Sequence, residues 1–298
     1  MGFPDIPVIS AIHAAIMTDI RRNRKLNSAS TVPLQTALRI MRKLFLSAVL
    51  FMPIGVMPVD MVGAATVGPD LSLPDADRLA IETSLGKGSL GPPVSAPSID
   101  VPSQWFPAHP GPKFFQVTQG PDAGSQQTVE WTPAKAAGSS GRYQFGQEEV
   151  VLLRTGKEGS LVIEGVEDIQ AESVTRYDPP EPFLLKGLAP GEHQQSRMAI
   201  KVFSAQDPKE VTHQGELQVT YEYLGAYRLT VPTGSFDTAI TKSTFSGKVG
   251  PAKIEDIQYR FFAQKVGLVA TIENRQVSAL LVYQSNKSVA KVLGQSWH

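Results

Sequence analysis

The sequence predicts an all-β protein built on a strongly curved antiparallel sheet, a half-barrel or open barrel. The first observation is that the odd positions from Leu217 to Val231 carry Leu, Val, Tyr, Tyr, Gly, Tyr, Leu and Val, whereas most even positions are polar. This two-residue period is that of a strand with one buried face, because successive side chains point to opposite sides. The second observation is that short apolar runs separated by turn residues recur from Lys113 onward, a spacing typical of all-β domains.

The predicted strands follow one another along the chain, with no helical period and no β-α-β alternation after residue 86. They are Phe114–Thr118, Thr128–Thr132, Arg142–Phe145, Val150–Arg154, Ser160–Glu164, Asp168–Tyr177, Arg197–Ser204, His213–Val231, Phe236–Phe245, Glu255–Ala263, Val266–Glu273 and Val277–Tyr283. The β domain is expected to span residues 105–285 and to be followed by a polar tail, residues 286–298.

Residues 66–104 predict a short helix and a proline-rich lead-in. Asp75–Leu85 alternates apolar and charged residues at helical spacing, with Pro74 before it and Gly86 after it. The tract from residue 88 to residue 98 is rich in Pro, Gly and Ser, which is typical of a linker or a strapped loop.

Three glycines are predicted to shape turns or bulges. Gly191 follows Pro190 at the centre of a four-residue turn, where a type II turn needs positive φ. Gly234 ends the turn that begins at Val231, and Gly267 lies at the start of the predicted strand Val266–Glu273.

Residues 41–65 have the three-part pattern of a signal peptide, with the alternative of a core helix. Arg42 and Lys43 precede an apolar run of about nine residues, and small residues around Ala64 resemble a cleavage site. The run is far shorter than the ~20 residues that span a bilayer, so no transmembrane segment is expected in the mature protein. The pattern predicts export to the periplasm. Residues 1–40 are then either an over-extended N-terminus, with translation starting at Met41 rather than Met1, or a long pre-region.

The composition argues against several classes of function. With 28 basic and 28 acidic residues, the chain lacks the positive charge on which nucleic-acid binding depends. The absence of cysteine excludes disulfides and thiolate sites. The histidines lack the short spacing of a local metal site, so neither a metal nor a cofactor is expected; they are His13, His109, His193, His213 and His298.

No catalytic motif is present, because nucleophile-elbow, phosphate-loop and dinucleotide signatures are all missing. A group of carboxylates is the one enzymatic signal, since paired carboxylates perform hydrolysis when held at a defined separation. Their alternation with apolar residues is also that of a solvated sheet face. The group consists of Glu148, Glu149, Glu164, Glu167, Asp168, Glu172 and Asp178.

A set of aromatic residues is expected to share one face of the sheet. They are either core, as buried aromatics usually are, or the lining of an apolar ligand groove with tyrosine hydroxyls as polar contacts. The set is Tyr221, Tyr223, Tyr227, Tyr259 and Phe261.

Four segments together resemble an exported bacterial family known as domain of unknown function 3108, and its TapB-like relatives. They are residues 107–115, 183–192, 231–238 and 259–269. The resemblance covers about residues 105–285 and consists of turns and strands. It implies a periplasmic or envelope protein with a strongly curved antiparallel sheet, similar to the lipoprotein-carrier half-barrels, and it implies no catalytic residue.

Three functions are therefore open. The first is non-enzymatic binding of an apolar or amphipathic envelope component, such as a lipid or a strand of an envelope protein, in the concavity of the sheet. The second is a structural module that pairs through its sheet edge or its proline-rich segment. The third is a hydrolase that uses the carboxylates.

Overall fold

Thirteen antiparallel strands and two short helices make up the part of the chain that the computed structural model describes, which is residues 72–107, 111–133, 141–279 and 283–295. All of these residues belong to one unit of the chain. The predicted signal peptide lies outside the described residues. The elements are α1 (Asp75–Leu85), β1 (Leu90–Pro93), α2 (Pro102–Trp105), β2 (Lys113–Gln119), β3 (Gln126–Pro133), β4 (Gly141–Phe145), β5 (Glu149–Thr155), β6 (Leu161–Asp168), β7 (Ser173–Leu184), β8 (His193–Ser204), β9 (Val211–Val231), β10 (Gly234–Val249), β11 (Ala252–Ala263), β12 (Gly267–Ala279) and β13 (Tyr283–Leu293).

The sheet closes into a barrel formed by the twelve strands β2 to β13. Each strand pairs with the next one in sequence, and β13 pairs with β2 to complete the circle, with Leu293 opposite Phe115. The all-β antiparallel prediction is confirmed, whereas the predicted half-barrel or open barrel is wrong. The physical reason is that most of the predicted polar tail, residues 286–298, belongs to strand β13, which runs to Leu293. Val289, Ala290 and Val292 are buried there, and the strand fills the gap between β12 and β2.

The proline-rich lead-in contacts the barrel, as expected for the strapped-loop alternative and not for the linker. Strand β1 pairs with the last part of β9, beyond the stretch that β8 covers. The chain then makes hydrogen bonds to loops and strand ends at one end of the barrel: the Tyr223 hydroxyl donates to the Pro97 carbonyl over 3.2 Å, and the Lys265 amide donates to the Gln104 carbonyl over 2.7 Å. Residues 94–107 are called the plug below.

The plug places aromatic side chains in the barrel interior, the lumen. Phe106 is 6% exposed, and its ring centroid lies 4.9 Å from those of Tyr143 and Phe183 and 6.2 Å from that of Phe262. Close edge-on contacts of this kind are favoured by aromatic rings. One end of the lumen is thereby filled by an aromatic cluster.

Helix α1 packs on the outer side of the barrel and has the bounds expected from the sequence. Asp75 and Asp77 lie in its first turn, where negative charge stabilises a helix. Asp77 Oδ1 accepts hydrogen bonds from the Tyr259 hydroxyl over 2.7 Å and from Lys242 Nζ over 2.9 Å. Burial, followed by the neighbouring Asp77 carboxylate, raises the pKa of Tyr259. Within the described ranges no helix is long and apolar enough to cross a membrane.

Candidate functional site

A cavity of about 200 Å³ lies in the lumen. Its lining begins at Tyr143 and Phe183 in the aromatic cluster and continues to Ile200, Val249 and Ile254 towards the other end of the barrel. Alternation along the strands produces this arrangement. In β11, for example, Ile254 and Asp256 face the lumen, while Glu255 between them is exposed.

The wall formed by β4 to β8 is mainly apolar. Burial of these side chains away from water stabilises the closed barrel and gives one side of the cavity an apolar surface. The apolar and aromatic residues that this wall contributes are Tyr143, Phe145, Val151, Leu153, Ile163, Val166, Tyr177, Phe183, Met198 and Ile200, beside the polar Glu149, Thr175 and Glu181.

The wall formed by β11 to β13, on the other side in strand order, is mainly polar. Cross-strand pairing aligns its side chains in rows: Asp256 is opposite Arg275, and Arg275 is opposite Lys287. The polar residues that this wall contributes are Asp256, Gln258, Arg260, Thr271, Glu273, Arg275, Lys287 and Lys291. The lumen is therefore two-sided.

Arg260 connects the polar wall with the aromatic cluster. Its Nη2 donates to Glu181 Oε1 over 2.8 Å and to Gln258 Oε1 over 2.6 Å, and its guanidinium lies 5.2 Å from the centroid of the Phe183 ring. Gln258 in turn donates from Nε2 to Asp256 Oδ2 over 2.8 Å. Arg260 thus has a carboxylate, an amide and an aromatic face as partners, as a buried guanidinium requires.

Arg275 forms the second centre of the polar wall. Its Nε donates to Asp256 Oδ2 over 3.4 Å, and its Nη2 contacts Glu273 Oε1. Two atoms of this group, Arg275 Nη1 and Asp256 Oδ1, are buried and make no hydrogen bond with any described residue. Two residues that face each other across neighbouring strands of the cavity lining therefore hold one unsatisfied donor and one unsatisfied acceptor.

Acidic groups in the lumen have shifted pKa values. Burial raises the pKa of Glu149 despite the opposing charges of Lys291, Arg275 and Lys287. Burial likewise raises the pKa of Glu181 against the effect of Arg260, and it raises that of Tyr177 well above its usual range. At both carboxylates, the rise in pKa caused by burial is larger than the fall caused by the nearby cations.

The structure separates the five predicted groove aromatics between two faces. Tyr221 and Tyr223 face the lumen, where the Tyr221 hydroxyl donates to the Phe183 carbonyl over 3.3 Å. Tyr227, Tyr259 and Phe261 belong to the cluster beneath α1 on the outer side. Of the five, Tyr259 alone also borders the cavity. Burial raises the pKa of Tyr221 to about 12.

The predicted turn glycines all have positive φ, at 84° for Gly191, 133° for Gly234 and 94° for Gly267. In the first of these turns the Glu192 amide donates to the Ala189 carbonyl over 3.0 Å, as a four-residue turn requires.

The predicted carboxylate group is divided by the barrel wall. Glu149 is opposite Asp168 on the lumen side, whereas Glu164 and Glu167 form ion pairs with Arg154 and Arg142 over 2.5 and 2.6 Å on the other face. Glu172 accepts a hydrogen bond from Gln206 in an exposed turn.

The histidines do not come together among the described residues. His193 is exposed and His213 is half-buried, while His13, His109 and His298 lie outside those residues. No group of three or more metal-ligating side chains occurs in the part of the chain that the structure describes.

The polar wall was not predicted from the sequence, although the residue pattern of β11 indicates it. Asp256, Gln258 and Arg260 share the parity of the apolar Ile254 and Phe262. Polar residues in phase with the buried face of a strand indicate a polar lumen. Their clustering could not be predicted, because the partner residues come from β7, β12 and β13.

No protein-family model and no curated protein matches the chain. The resemblance to the domain of unknown function 3108 family is accordingly not confirmed.

Three solved structures are similar in part. A protein from Bacteroides fragilis NCTC 9343 described as exported and as having a YmcC-like fold has a TM-score of 0.41 at 14% identity, covering 63% of this chain and 96% of that one. The lipoprotein YmcC from Escherichia coli K12 has a TM-score of 0.34 at 8% identity, covering 64% and 92%. A protein from Parabacteroides distasonis ATCC 8503 described as a lipoprotein has a TM-score of 0.29 at 13% identity, covering 62% and 95%. Scores this low do not establish a shared fold.

Proposed function

We propose that the protein is an exported binding protein that holds one small amphipathic molecule in the lumen of its barrel. The observation that carries this proposal is the two-sided cavity, with the apolar wall of β4 to β8 facing the polar wall of β11 to β13. Binding sites for small molecules are typically apolar with a few well-placed polar groups.

The size of the cavity restricts the ligand. Its volume of about 200 Å³ is below the ~300–1,000 Å³ of sites for drug-sized molecules. A lipid with two acyl chains would not fit, whereas a single short chain with a polar head would. The proposed ligand is therefore smaller than the one expected for an open groove, and it lies inside the barrel.

A binding assay with lumen-filling variants tests this proposal. The probe is N-phenyl-1-naphthylamine, a neutral aromatic molecule whose fluorescence rises in apolar surroundings. The variant Val249→Phe/Ile254→Phe adds volume at two buried cavity positions, and the control Val211→Phe/Ile257→Phe makes the same changes at side chains that are 44% and 37% exposed. We expect the lumen variant to lose the fluorescence increase and the control to keep it. Equal fluorescence in both variants would refute binding in the lumen.

The location in the periplasm is a separate part of the proposal and rests on the signal pattern of residues 41–65. Fractionation of cells that produce the full chain tests it. We expect a shortened chain in the periplasmic fraction, and an uncut chain in the cytoplasm would contradict the proposal.

A further inference from the structure

Arg275 and Asp256, two paired residues of the cavity lining, hold an incomplete set of hydrogen bonds. Their side chains are 5% and 1% exposed, and Nε of the arginine lies 3.4 Å from Oδ2 of the aspartate. Arg275 Nη1 and Asp256 Oδ1 are left without a partner among the described residues, and both residues line the cavity. Buried polar atoms are nearly always hydrogen-bonded, so a donor and an acceptor here indicate a group that complements both.

The cavity lining contains nearly equal numbers of acidic and basic side chains. Five acidic side chains and four basic ones line the cavity, and Arg275 itself already contacts Asp256 and Glu273. A ligand with a full charge of either sign would lose its hydration and would meet charges of its own sign as well as opposite ones. The electrostatics of the lumen therefore favour an uncharged head group.

We propose that Arg275 and Asp256 recognise a neutral head group that both accepts and donates hydrogen bonds, a carboxamide or a hydroxyl. Arg275 Nη1 donates to the oxygen of the ligand, and Asp256 Oδ1 accepts from its N–H or O–H. The chain of the ligand lies against the apolar wall. This inference rests on the proposed function and specifies the chemistry of its ligand.

Met198 provides a built-in reporter for the experiment. It is the one methionine among the described residues, it is 1% exposed, and it lies on the apolar wall of the cavity. The full chain is labelled with methyl-13C methionine, and the Met198 signal is identified as the one that disappears in Met198→Leu, a change that conserves volume. The change in the chemical shift of this signal when a ligand is added then measures binding in the lumen.

Four ligands with chains of equal length separate the alternatives. Octanamide donates and accepts, 2-nonanone replaces its NH₂ by CH₃ and only accepts, and octanoate and octylammonium each carry a charge. At pH 7 we expect octanamide to bind at least about tenfold more tightly than either charged compound. Tightest binding by octanoate or by octylammonium would overturn the inference. This series needs no variant.

A variant then tests the role of Asp256. In Asp256→Leu we expect the affinity ratio of octanamide to 2-nonanone to fall about tenfold, because the acceptor for the amide N–H is gone. Glu255→Leu, the neighbouring position on the exposed face of β11, should leave this ratio unchanged. Equal ratios in the two variants would overturn the inference.

The two proposals fail in distinguishable ways. A Met198 signal that moves with none of the four compounds refutes the proposed function together with this inference. A signal that moves with all four to the same extent leaves lumen binding standing and refutes head-group recognition by Arg275 and Asp256.

Discussion

Gly225 decides which side of the barrel the later side chains of β9 face. Its φ is 126°, a backbone conformation that L side chains rarely adopt, and at this point β9 has one residue more than β10. The extra residue reverses the alternation, so that Tyr221 and Tyr223 face the lumen while Tyr227 faces α1. The odd-position pattern of the sequence is continuous through Gly225, so periodicity alone assigns all three tyrosines to one face.

Gly267 shows what a glycine with positive φ contributes to stability. Its φ is 94°, and a Cβ built there lies 3.2 Å from Lys113 Nζ. We expect Gly267→Val to lower the free energy of unfolding by about 1–3 kcal/mol through backbone strain, with crowding added. Gly234→Val should cost less, because open space surrounds that position.

Denaturant unfolding measures both losses, with Gly156→Val as the control. The φ of Gly156 is ordinary, and its nearest neighbour would be 3.5 Å from a Cβ. If all three variants unfold at the same denaturant concentration as the unmodified chain, the strain argument is wrong.

Glu149 makes stability depend on pH. Burial raises its pKa above the ordinary 4.5, so the folded chain binds this proton more tightly than the unfolded chain does. The contribution of this group to folding stability therefore falls as pH rises from about 4.5 through the raised pKa, because the partly desolvated carboxylate becomes charged. We expect Glu149→Gln to be more stable than the unmodified chain at pH 7.5, with the difference shrinking towards pH 4.5.

Thermal unfolding at pH 4.5, 6 and 7.5 tests this dependence. Glu255→Gln on the exposed face is the control and should follow the unmodified chain at every pH. A glutamine variant that is the less stable one at pH 7.5 would show that Lys291, Arg275 and Lys287 outweigh burial.

At the scale of single elements, local signals predicted α1 well and the end of the chain badly. Pro74, Gly86 and the helical period define α1 within one segment. In contrast, β12 was predicted as part of two strands, Val266–Glu273 and Val277–Tyr283, and most of β13 was predicted as a polar tail. In both segments exposed polar residues alternate with only a few apolar ones. The pairing of β13 with β2 joins residues more than 160 positions apart, so no local pattern encodes it.

The plug bears on the two alternatives, a linker or a strapped loop, that the sequence left open for the proline-rich tract. A linker would contribute nothing to the stability of the barrel, whereas a strapped loop would. The contacts of Phe106 with Tyr143, Phe183 and Phe262 make the plug part of the core. We expect Phe106→Ala to lower the free energy of unfolding by about 3–5 kcal/mol.

Denaturant unfolding again provides the measurement, with Val101→Ala as the control in the same segment, since Val101 is 45% exposed. Unchanged stability in Phe106→Ala would show that the plug is not part of the core.

At the scale of the whole molecule, closure of the sheet determines what the protein can bind. A closed barrel of β2 to β13 has no free edge among these strands, which removes the basis for partner binding by edge pairing there. The same closure encloses Asp256, Arg260 and Arg275. The sequence patterns predicted the all-β class and most of the strands. They did not predict that the barrel closes, because closure depends on the long-range pairing of β13 with β2.

The central claim is that the lumen holds a small molecule, and native mass spectrometry of the full chain purified from cells without detergent tests it most directly. The account predicts a discrete added mass, released by organic solvent, which is absent in Val249→Phe/Ile254→Phe and present in Val211→Phe/Ile257→Phe. A bare chain mass in the unmodified protein, or the same added mass in both double variants, would contradict it.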